Sequence, residues 1–190
     1  MIGLFGGSFD PIHHGHLLVA QAVREALQLE QLRFLPARES PFKIGQALAP
    51  GALRARMIQA AIGEDAGYRV DPIELDRPGP SYTIDTLRAL HQREPEQRWG
   101  LLLGADAAAD FGKWREAPAI AQLAELIIFA RAGVVAPRLD WPTRIVTVPA
   151  IDISATEVRR RTAAGRALRY WVPDPVAGII QDEGLYLSDA

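Results

Sequence analysis

The sequence contains no cysteine among its 190 residues. This absence excludes disulfide bonds, thiolate metal ligands and cysteine nucleophiles together. Lysine is almost as rare, since only Lys43 and Lys113 occur and arginine supplies the other basic residues. No apolar run approaches the roughly 20 residues of a transmembrane helix, and no basic segment of the kind found in signal peptides opens the sequence. We therefore expect a cytoplasmic protein that does not enter a membrane.

Charge and hydropathy are those of an ordinary folded domain. Apolar residues make up 48% of the chain, charged residues 23%, and the net charge is −2. This balance does not indicate a nucleic-acid binder, which would be basic overall. Length and composition predict a single domain over residues 1–190. The sequence leaves open whether copies of the chain form a homo-oligomer.

Apolar strands alternate with amphipathic helices along the chain. The pattern predicts strands at 1–5, 32–36, 99–103, 126–130 and 144–148, an extended segment at 68–75, and helices at 15–28, 52–62 and 82–92. Two further helices are expected to begin near Ser154 and Pro173. The predicted fold class is therefore α/β, a doubly wound, Rossmann-like parallel sheet with helices on both faces. Such sheets bind ligands at the carboxyl ends of their strands.

The segment Gly6–His16 directly follows the first predicted strand. Its two adjacent glycines allow the backbone to approach a ligand closely. His13 and His16 are three residues apart, so both imidazoles would lie on one side of a first helical turn, where the dipole favours a polyphosphate. The segment has neither the G-x-G-x-x-G spacing of a dinucleotide site nor a Walker A lysine. A metal site is the weaker alternative, because Asp10 is the only nearby carboxylate.

The pattern Gly-x-Phe-Asp-Pro-x-His-x-Gly-His in this segment resembles the signature of the nucleotidylyltransferase superfamily. Its members transfer AMP or CMP from a nucleoside triphosphate to a phosphate group and release pyrophosphate. Residues 153–159 are similar to the second half of the signature, Ile-Ser-Ser/Thr-Thr-x-x-Arg, with Ala155 replacing a hydroxyl residue. The resemblance implies an ATP site made of Gly6, Gly7, Ser8, Phe9, His13, Gly15, His16, Ile153, Ser154, Thr156 and Arg159.

A plainer interpretation of the second segment is an ordinary helix start. Ser154 and Glu157 have the spacing of a capping box, and the arginines that follow could form a solvated basic face. Together with the N-terminal motif, a phosphate site is favoured. The Ser154 and Thr156 hydroxyls could donate to phosphate oxygens, and Arg159 could bind them with two parallel hydrogen bonds.

Segments between the two motifs resemble bacterial nicotinate mononucleotide adenylyltransferases over nearly the whole chain. Pro80–Thr83 resembles their carboxylate-binding Pro-Ser-Tyr-Thr segment, and a helix start there would favour an anion. Gly104–Asp106 resembles a Gly-x-Asp turn that binds ribose hydroxyls, and Phe111–Trp114 a segment whose tryptophan stacks on the pyridine ring. Helix capping and core packing are the plainer alternatives. The resemblance implies an acceptor site made of Ser81, Tyr82, Thr83, Gly104, Asp106, Trp114 and Arg131.

The reaction implied by the resemblance makes nicotinate adenine dinucleotide from ATP and nicotinate mononucleotide during NAD biosynthesis. The implied catalytic residues are His13, His16, Lys43 and Arg159, which would act by positioning and charge stabilisation without a covalent intermediate. Mg²⁺ would arrive with ATP, so no protein metal site is expected. Phe42 stands where the family usually has a histidine, so the role of that histidine is absent or moved.

Three other functions stay open at this point. Phosphopantetheine adenylyltransferases share the fold but usually have threonine in place of His13. Cytidylyltransferases keep both histidines but lack the Pro-Ser-Tyr-Thr and Gly-x-Asp segments in this arrangement. A nucleotide-binding regulator without catalysis could use the same phosphate-binding groups. Pyrophosphate release from ATP in the presence of nicotinate mononucleotide would distinguish all of them.

Overall fold

The central feature is a parallel β-sheet, seen in a computed structural model that describes residues 1–41 and 48–187. Within these residues the strands are β1 (Ile2–Gly7), β2 (Gln31–Pro36), β3 (Tyr68–Val70), β4 (Trp99–Gly104), β5 (Glu125–Arg131) and β6 (Thr143–Val148). Every neighbouring pair is parallel, in the order β3-β2-β1-β4-β5-β6. This order confirms the predicted doubly wound α/β fold.

The strand order reverses between β1 and β4, and a crevice opens there. β1 pairs with β2 as far as the Gly7–Pro36 partners, but its pairing with β4 ends at Leu4 and Leu101. The last three residues of β1 thus pair with β2 but not with β4. Ligands of doubly wound sheets bind at this switch in strand order.

Helices connect the strands on both faces of the sheet. They are α1 (His14–Leu27), α2 (Gly51–Ile62), α3 (Thr83–Arg93), α4 (Ala105–Ala109), α5 (Ala117–Leu123), α6 (Ala155–Ala163) and α7 (Asp174–Asp182). The predicted helices are confirmed to within one or two residues, whereas α4 and α5 are too short to show a helical repeat in sequence. Among the described residues, no helix is both long and apolar enough to cross a membrane.

One predicted element is partly wrong. The segment 68–75 is extended only at Tyr68–Val70, and Pro72–Glu74 forms a short 3₁₀ helix. The carboxylate of Asp71 accepts a hydrogen bond from the Ile73 N–H at 3.3 Å and so caps this turn. Proline suits the first helical position because its missing N–H would have no partner there. The capped 3₁₀ turn therefore ends the extended segment earlier than predicted.

Alternate residues of the central strands pack into two separate cores. Phe5, Leu102 and Ile127 belong to the core shared with α1, α2, α6 and α7. Leu4 and Leu101 belong to the core shared with α3 and α5. This alternation follows from strand geometry, and burial on both faces explains the continuous apolar runs in the sequence. The two helix layers present different segments to the crevice: α1 and α6 from one face, and α3 from the other.

Candidate active site

The loop that follows β1 turns sharply at the crevice. A Cβ atom on Gly7 would lie 3.0 Å from the ring of Phe9, tighter than most Cβ contacts in proteins. Phe9 has a φ of +47°, in the left-handed region that residues with a side chain rarely adopt. Its ring is buried in the core with Phe5 and Phe34. Glycine at position 7 and a buried aromatic at position 9 therefore fix the path of the loop.

Two histidines stand at the start of α1. His13 precedes the helix, and its ring stacks on that of His16 with centroids 3.7 Å apart and planes at 25°. The His13 N–H donates to Nδ1 of His16 at 3.3 Å. His13 is only 5% exposed, and burial, with the nearby His14 adding to it, lowers its pKa to about 4. The predicted placement of both imidazoles on one side of the first turn is confirmed, and His13 is neutral at pH 7.

The two halves of the sequence signature meet in space. A Cβ atom on Gly15 would lie 3.3 Å from the carbonyl oxygen of Ile153, so a glycine lets α1 and the segment before α6 approach each other. Nη1 of Arg159 donates to the carbonyl oxygen of Asp10 at 2.8 Å. Nη2 of the same guanidinium donates to Oγ1 of Thr156 at 3.4 Å. Arg159 thus joins the C-terminal motif to the N-terminal loop.

Helix capping at α6 is present, as the plainer interpretation expected. Oγ of Ser154 accepts a hydrogen bond from the Glu157 N–H at 3.2 Å. The Glu157 carboxylate pairs with Arg160 at 2.8 Å. The Ser154 hydroxyl keeps its own proton as a donor, so the capping contact and a phosphate contact are compatible.

Two cavities open at the carboxyl edge of the sheet. The histidine cavity, named for His13 and His16, has a volume of about 820 Å³. The tryptophan cavity, named for Trp114, has a volume of about 560 Å³. Gly7 and Ser8 line both cavities, so the end of β1 forms their common wall. Groups bound in the two cavities would meet beside Gly7 and Ser8, where they could react with each other.

The predicted site residues divide between the cavities. The histidine cavity is lined by Gly7, Ser8, Phe9, His13, Gly15, His16, Ile153, Ser154, Thr156 and Arg159, and also by Gly104, Asp106 and Arg131. The tryptophan cavity is lined by Gly6, Gly7, Ser8, Ser81, Tyr82, Thr83 and Trp114. Gly104, Asp106 and Arg131, expected at the acceptor, thus line the histidine cavity, whereas Gly6, expected at ATP, lines the tryptophan cavity. Lys43 lies outside the described residues.

The start of α3 forms one side of the tryptophan cavity. Ser81 is buried, its hydroxyl oxygen accepts from the Arg38 N–H at 3.0 Å, and its own N–H donates to the Glu39 carbonyl at 2.9 Å. Ser81 is therefore held by the chain that follows β2. Thr83 opens the helix, where N–H groups have no carbonyl in a preceding turn. A ligand anion would find its donors at this helix start.

Sequence reasoning did not assign three charged residues of the tryptophan cavity to the site: Glu74, Lys113 and Arg115. Glu74 is 7% exposed, and its Oε1 accepts a hydrogen bond from the Thr86 hydroxyl at 2.8 Å. Burial raises the pKa of Glu74, against the opposing effect of that hydrogen bond. The Arg115 guanidinium lies 4.9 Å from the centre of the Tyr82 ring. Glu74 comes from a short connecting segment without a motif, so no local signal could have identified it. Lys113 lies inside the Phe111–Trp114 segment and Arg115 directly follows it, and their proximity to Trp114 was the signal that could have identified them.

Comparisons with known proteins identify the family. Residues 4–161 match the cytidylyltransferase-like family model. A probable nicotinate-nucleotide adenylyltransferase of a Roseiflexus species is 44% identical over 194 residues, which cover 97% of each chain. One of Thermus thermophilus is 44% identical over 185 residues, covering 97% of this chain and 98% of its own. The chain belongs to the nicotinate-nucleotide adenylyltransferase family.

The nicotinate-nucleotide adenylyltransferase family membership agrees with the fold of solved structures. The nicotinic acid mononucleotide adenylyltransferase of Plasmodium falciparum, complexed with NaAD, superposes with a TM-score of 0.80. The match covers 97% of this chain and 96% of that one at 19% identity, so it concerns the fold. In the described part of this family member, no group of three or more histidine, aspartate or glutamate side chains could hold a metal ion.

Proposed function

We propose that this protein transfers AMP from ATP to nicotinate mononucleotide, giving nicotinate adenine dinucleotide and pyrophosphate. The observation that carries the proposal is the pair of cavities that share Gly7 and Ser8 in their linings. A reaction between two bound nucleotides needs two such sites whose reacting groups meet at one point. Relatives at 44% identity named as probable nicotinate-nucleotide adenylyltransferases support the choice of substrates.

ATP is expected in the histidine cavity. Three features there suit a triphosphate: the guanidinium of Arg159, the start of α6, and the stacked imidazoles at the start of α1. Because His13 is neutral at pH 7, it would act by hydrogen bonding, and Arg159 would carry the positive charge. Lys43 would add a second charge if it faces the phosphates.

Nicotinate mononucleotide is expected in the tryptophan cavity. The ring of Trp114 is half-buried and offers a face for the pyridine, and the backbone N–H groups at the start of α3 offer donors to the carboxylate. Arg115 would add a positive charge beside this anionic ligand. The substrate phosphate would then point to the Gly7–Ser8 wall and to the α-phosphorus of ATP.

The chemistry needs no covalent bond to the protein. An acceptor phosphate oxygen forms a bond to the α-phosphorus, the bond from that phosphorus to the bridging oxygen breaks, and pyrophosphate leaves with the electron pair. His16, Arg159 and the α6 start would stabilise the charge on the α-phosphate and the leaving group. Mg²⁺ would enter as part of the MgATP substrate, held by phosphate oxygens and water.

A single assay tests the proposal. Pyrophosphate release is measured with ATP and nicotinate mononucleotide, with ATP and phosphopantetheine, and with ATP alone; CTP replaces ATP in a fourth reaction. We expect release only in the first, with a dinucleotide product identified by mass. Release with phosphopantetheine or CTP would favour another transferase. ATP binding by calorimetry without any release would favour a non-catalytic regulator.

Location and assembly also belong to the proposal. We infer that the protein acts in the cytoplasm, because the reaction consumes ATP. Self-association of the chain remains a prediction, which light scattering on the purified protein would test at several concentrations.

A further inference from the structure

The chain that follows α7 returns to the loop after β1. The hydroxyl of Tyr186 donates a hydrogen bond to Oδ1 of Asp10 at 2.6 Å, between residues 176 positions apart. Tyr186 has a φ of +61°, a left-handed conformation that costs free energy in a residue with a side chain. Such strain persists only where the surroundings enforce it, and it is common at functional sites. The position of this phenol is therefore specified by the fold.

Asp10 is the centre of a buried cluster of polar groups. The residue is 3% exposed, and its Oδ1 also accepts a hydrogen bond from the Ala49 N–H at 3.2 Å. Burial raises the pKa of Tyr186, the Asp10 carboxylate raises it further, and the cations of Arg159 and Arg54 oppose this effect. The phenol is therefore protonated near neutral pH and can only serve Asp10 as a donor.

A buried arginine, Arg54, holds the same loop through backbone carbonyl groups. Arg54 is 1% exposed, and it donates to the carbonyl oxygens of Ser8 at 2.7 Å and of Ala49 at 2.9 Å. Burial lowers the pKa of Arg54, and the charge of Asp10 opposes that shift. The residues on both sides of Phe9 are thus anchored, one by Arg54 and the other by Tyr186.

The anchored Asp10 in turn contacts Arg159, the side chain proposed to bind the triphosphate. Its carbonyl oxygen accepts the 2.8 Å hydrogen bond from Nη1 of Arg159, which lines the histidine cavity. Among the described residues, Tyr186 lines neither cavity. Asp10, in contrast, lines the histidine cavity. The Tyr186 hydroxyl can therefore reach the reaction through Asp10, which also holds the guanidinium of Arg159.

We propose that Tyr186 is a positioning residue of the histidine cavity, whose hydroxyl fixes Asp10 so that Asp10 aims the guanidinium of Arg159 at the triphosphate. This inference rests on the proposed function, because it takes Arg159 as a ligand of ATP. It implies that the last described turn of the chain is part of the catalytic apparatus. It also implies that the acceptor, bound in the tryptophan cavity, is not sensed by Tyr186.

The first test is Tyr186→Phe, which removes one oxygen and keeps the ring. We expect the ATP kcat/KM to fall about 10-fold, the loss typical of one hydrogen bond to a charged group. The KM for nicotinate mononucleotide should stay within about 2-fold. The matched control is Tyr170→Phe, since Tyr170 is 78% exposed and its ring lies beside Arg169. That variant should behave like the parent, and equal kinetics for all three proteins would overturn the proposal.

A double-mutant cycle distinguishes positioning from a merely structural role. If Tyr186 acts through Arg159, then adding Tyr186→Phe to Arg159→Lys should lower the ATP kcat/KM by less than about 2-fold more. The Arg159→Lys protein has no guanidinium left for Asp10 to position. Two losses that multiply in full would overturn the proposal. All variants are assayed under conditions in which chemical denaturation shows that they are folded.

The same cycle read by calorimetry separates this inference from the proposed function. Calorimetry measures the dissociation constant of ATP without any turnover. Coupled losses of ATP affinity in a protein without adenylyltransferase activity would support the role of Tyr186 and reject the function. Normal adenylyltransferase activity with independent losses of ATP affinity would support the function and reject the role of Tyr186.

Discussion

The histidine cavity and the tryptophan cavity share the Gly7–Ser8 wall, yet they are assembled differently. The histidine cavity takes most of its polar groups from residues 6–16 and 153–159, joined by the Arg159–Asp10 hydrogen bond of 2.8 Å. The tryptophan cavity takes short runs of residues from more segments, among them Ser81–Thr83, Leu101–Leu103 and Lys113–Arg115. A triphosphate presents the same group to every enzyme that uses it, so a compact site suffices. Selecting one acceptor requires separate contacts with each part of that molecule.

The charges of the two cavities also differ. The histidine cavity combines a buried neutral imidazole at His13 with a cation at Arg159. The tryptophan cavity combines aromatic faces with a buried carboxyl group at Glu74 and cations at Lys113 and Arg115. Groups of the first kind would stabilise charge that develops during the reaction, and so govern kcat. Groups of the second kind would govern KM and the choice of acceptor.

The largest expected effect concerns acceptor choice. Nicotinate mononucleotide carries a carboxylate where nicotinamide mononucleotide carries a neutral amide. A carboxylate can accept with both oxygens from the backbone N–H groups at the start of α3, whereas the amide must turn its own NH₂ towards one of them. The unpaired donor and the lost charge term should cost about 2–4 kcal/mol, or roughly 30- to 1000-fold in kcat/KM. Competition kinetics with both mononucleotides measures this ratio.

A variant locates this preference in the tryptophan cavity. Thr83→Pro removes one N–H donor at the first position of α3, where proline is tolerated. The acid-over-amide ratio should fall more than the affinity for ATP. Equal kcat/KM values for the two mononucleotides in the parent protein would reject a carboxylate site at α3, even with the adenylyltransferase activity confirmed.

The next effect concerns the histidine cavity. His16 stands on the first turn of α1 with its ring stacked on His13. If it stabilises the transition state, His16→Ala should lower kcat about 100-fold or more, with a smaller change in the KM for ATP. Steady-state kinetics on the folded variant decides the point. A near-normal kcat would remove the contrast between the two cavities.

How much the sequence revealed also differs between the cavities. The Gly6–His16 and 153–159 segments carry local patterns, so their meeting around α1 and α6 could be expected. Glu74 could not, because a short 3₁₀ helix without a motif brings it to the cavity. Likewise, the contact between Tyr186 and Asp10 spans 176 positions and depends on a left-handed turn. The strand pattern predicted the sheet, but only its order shows which face each segment occupies.

Acid should destabilise the protein through the histidine cavity. The pKa of His13 is about 4 in the folded state against an ordinary value of 6.5, so between these values the unfolded chain binds more protons. Stability is therefore lost as pH falls from about 6.5 towards 4, by about 2 kcal/mol at pH 5. His13→Asn, which can still cap α1, should lose less between pH 7 and 5 in urea unfolding. Identical losses in both proteins would contradict a buried neutral His13.

The smallest effect is expected at the acceptor side, from the charge of Arg115. Its side chain is 53% exposed and lies 3.5 Å from Asp85, so solvent and that carboxylate weaken its field. Arg115→Gln should raise the KM for nicotinate mononucleotide about 3- to 5-fold at low salt, less at high salt, and leave kcat and the KM for ATP unchanged. Arg88→Gln is the matched control, because Arg88 is 49% exposed, pairs with Glu116 and lines neither cavity among the described residues. A kcat defect in Arg115→Gln would place this cation at the reacting phosphates and end the division of roles between the cavities.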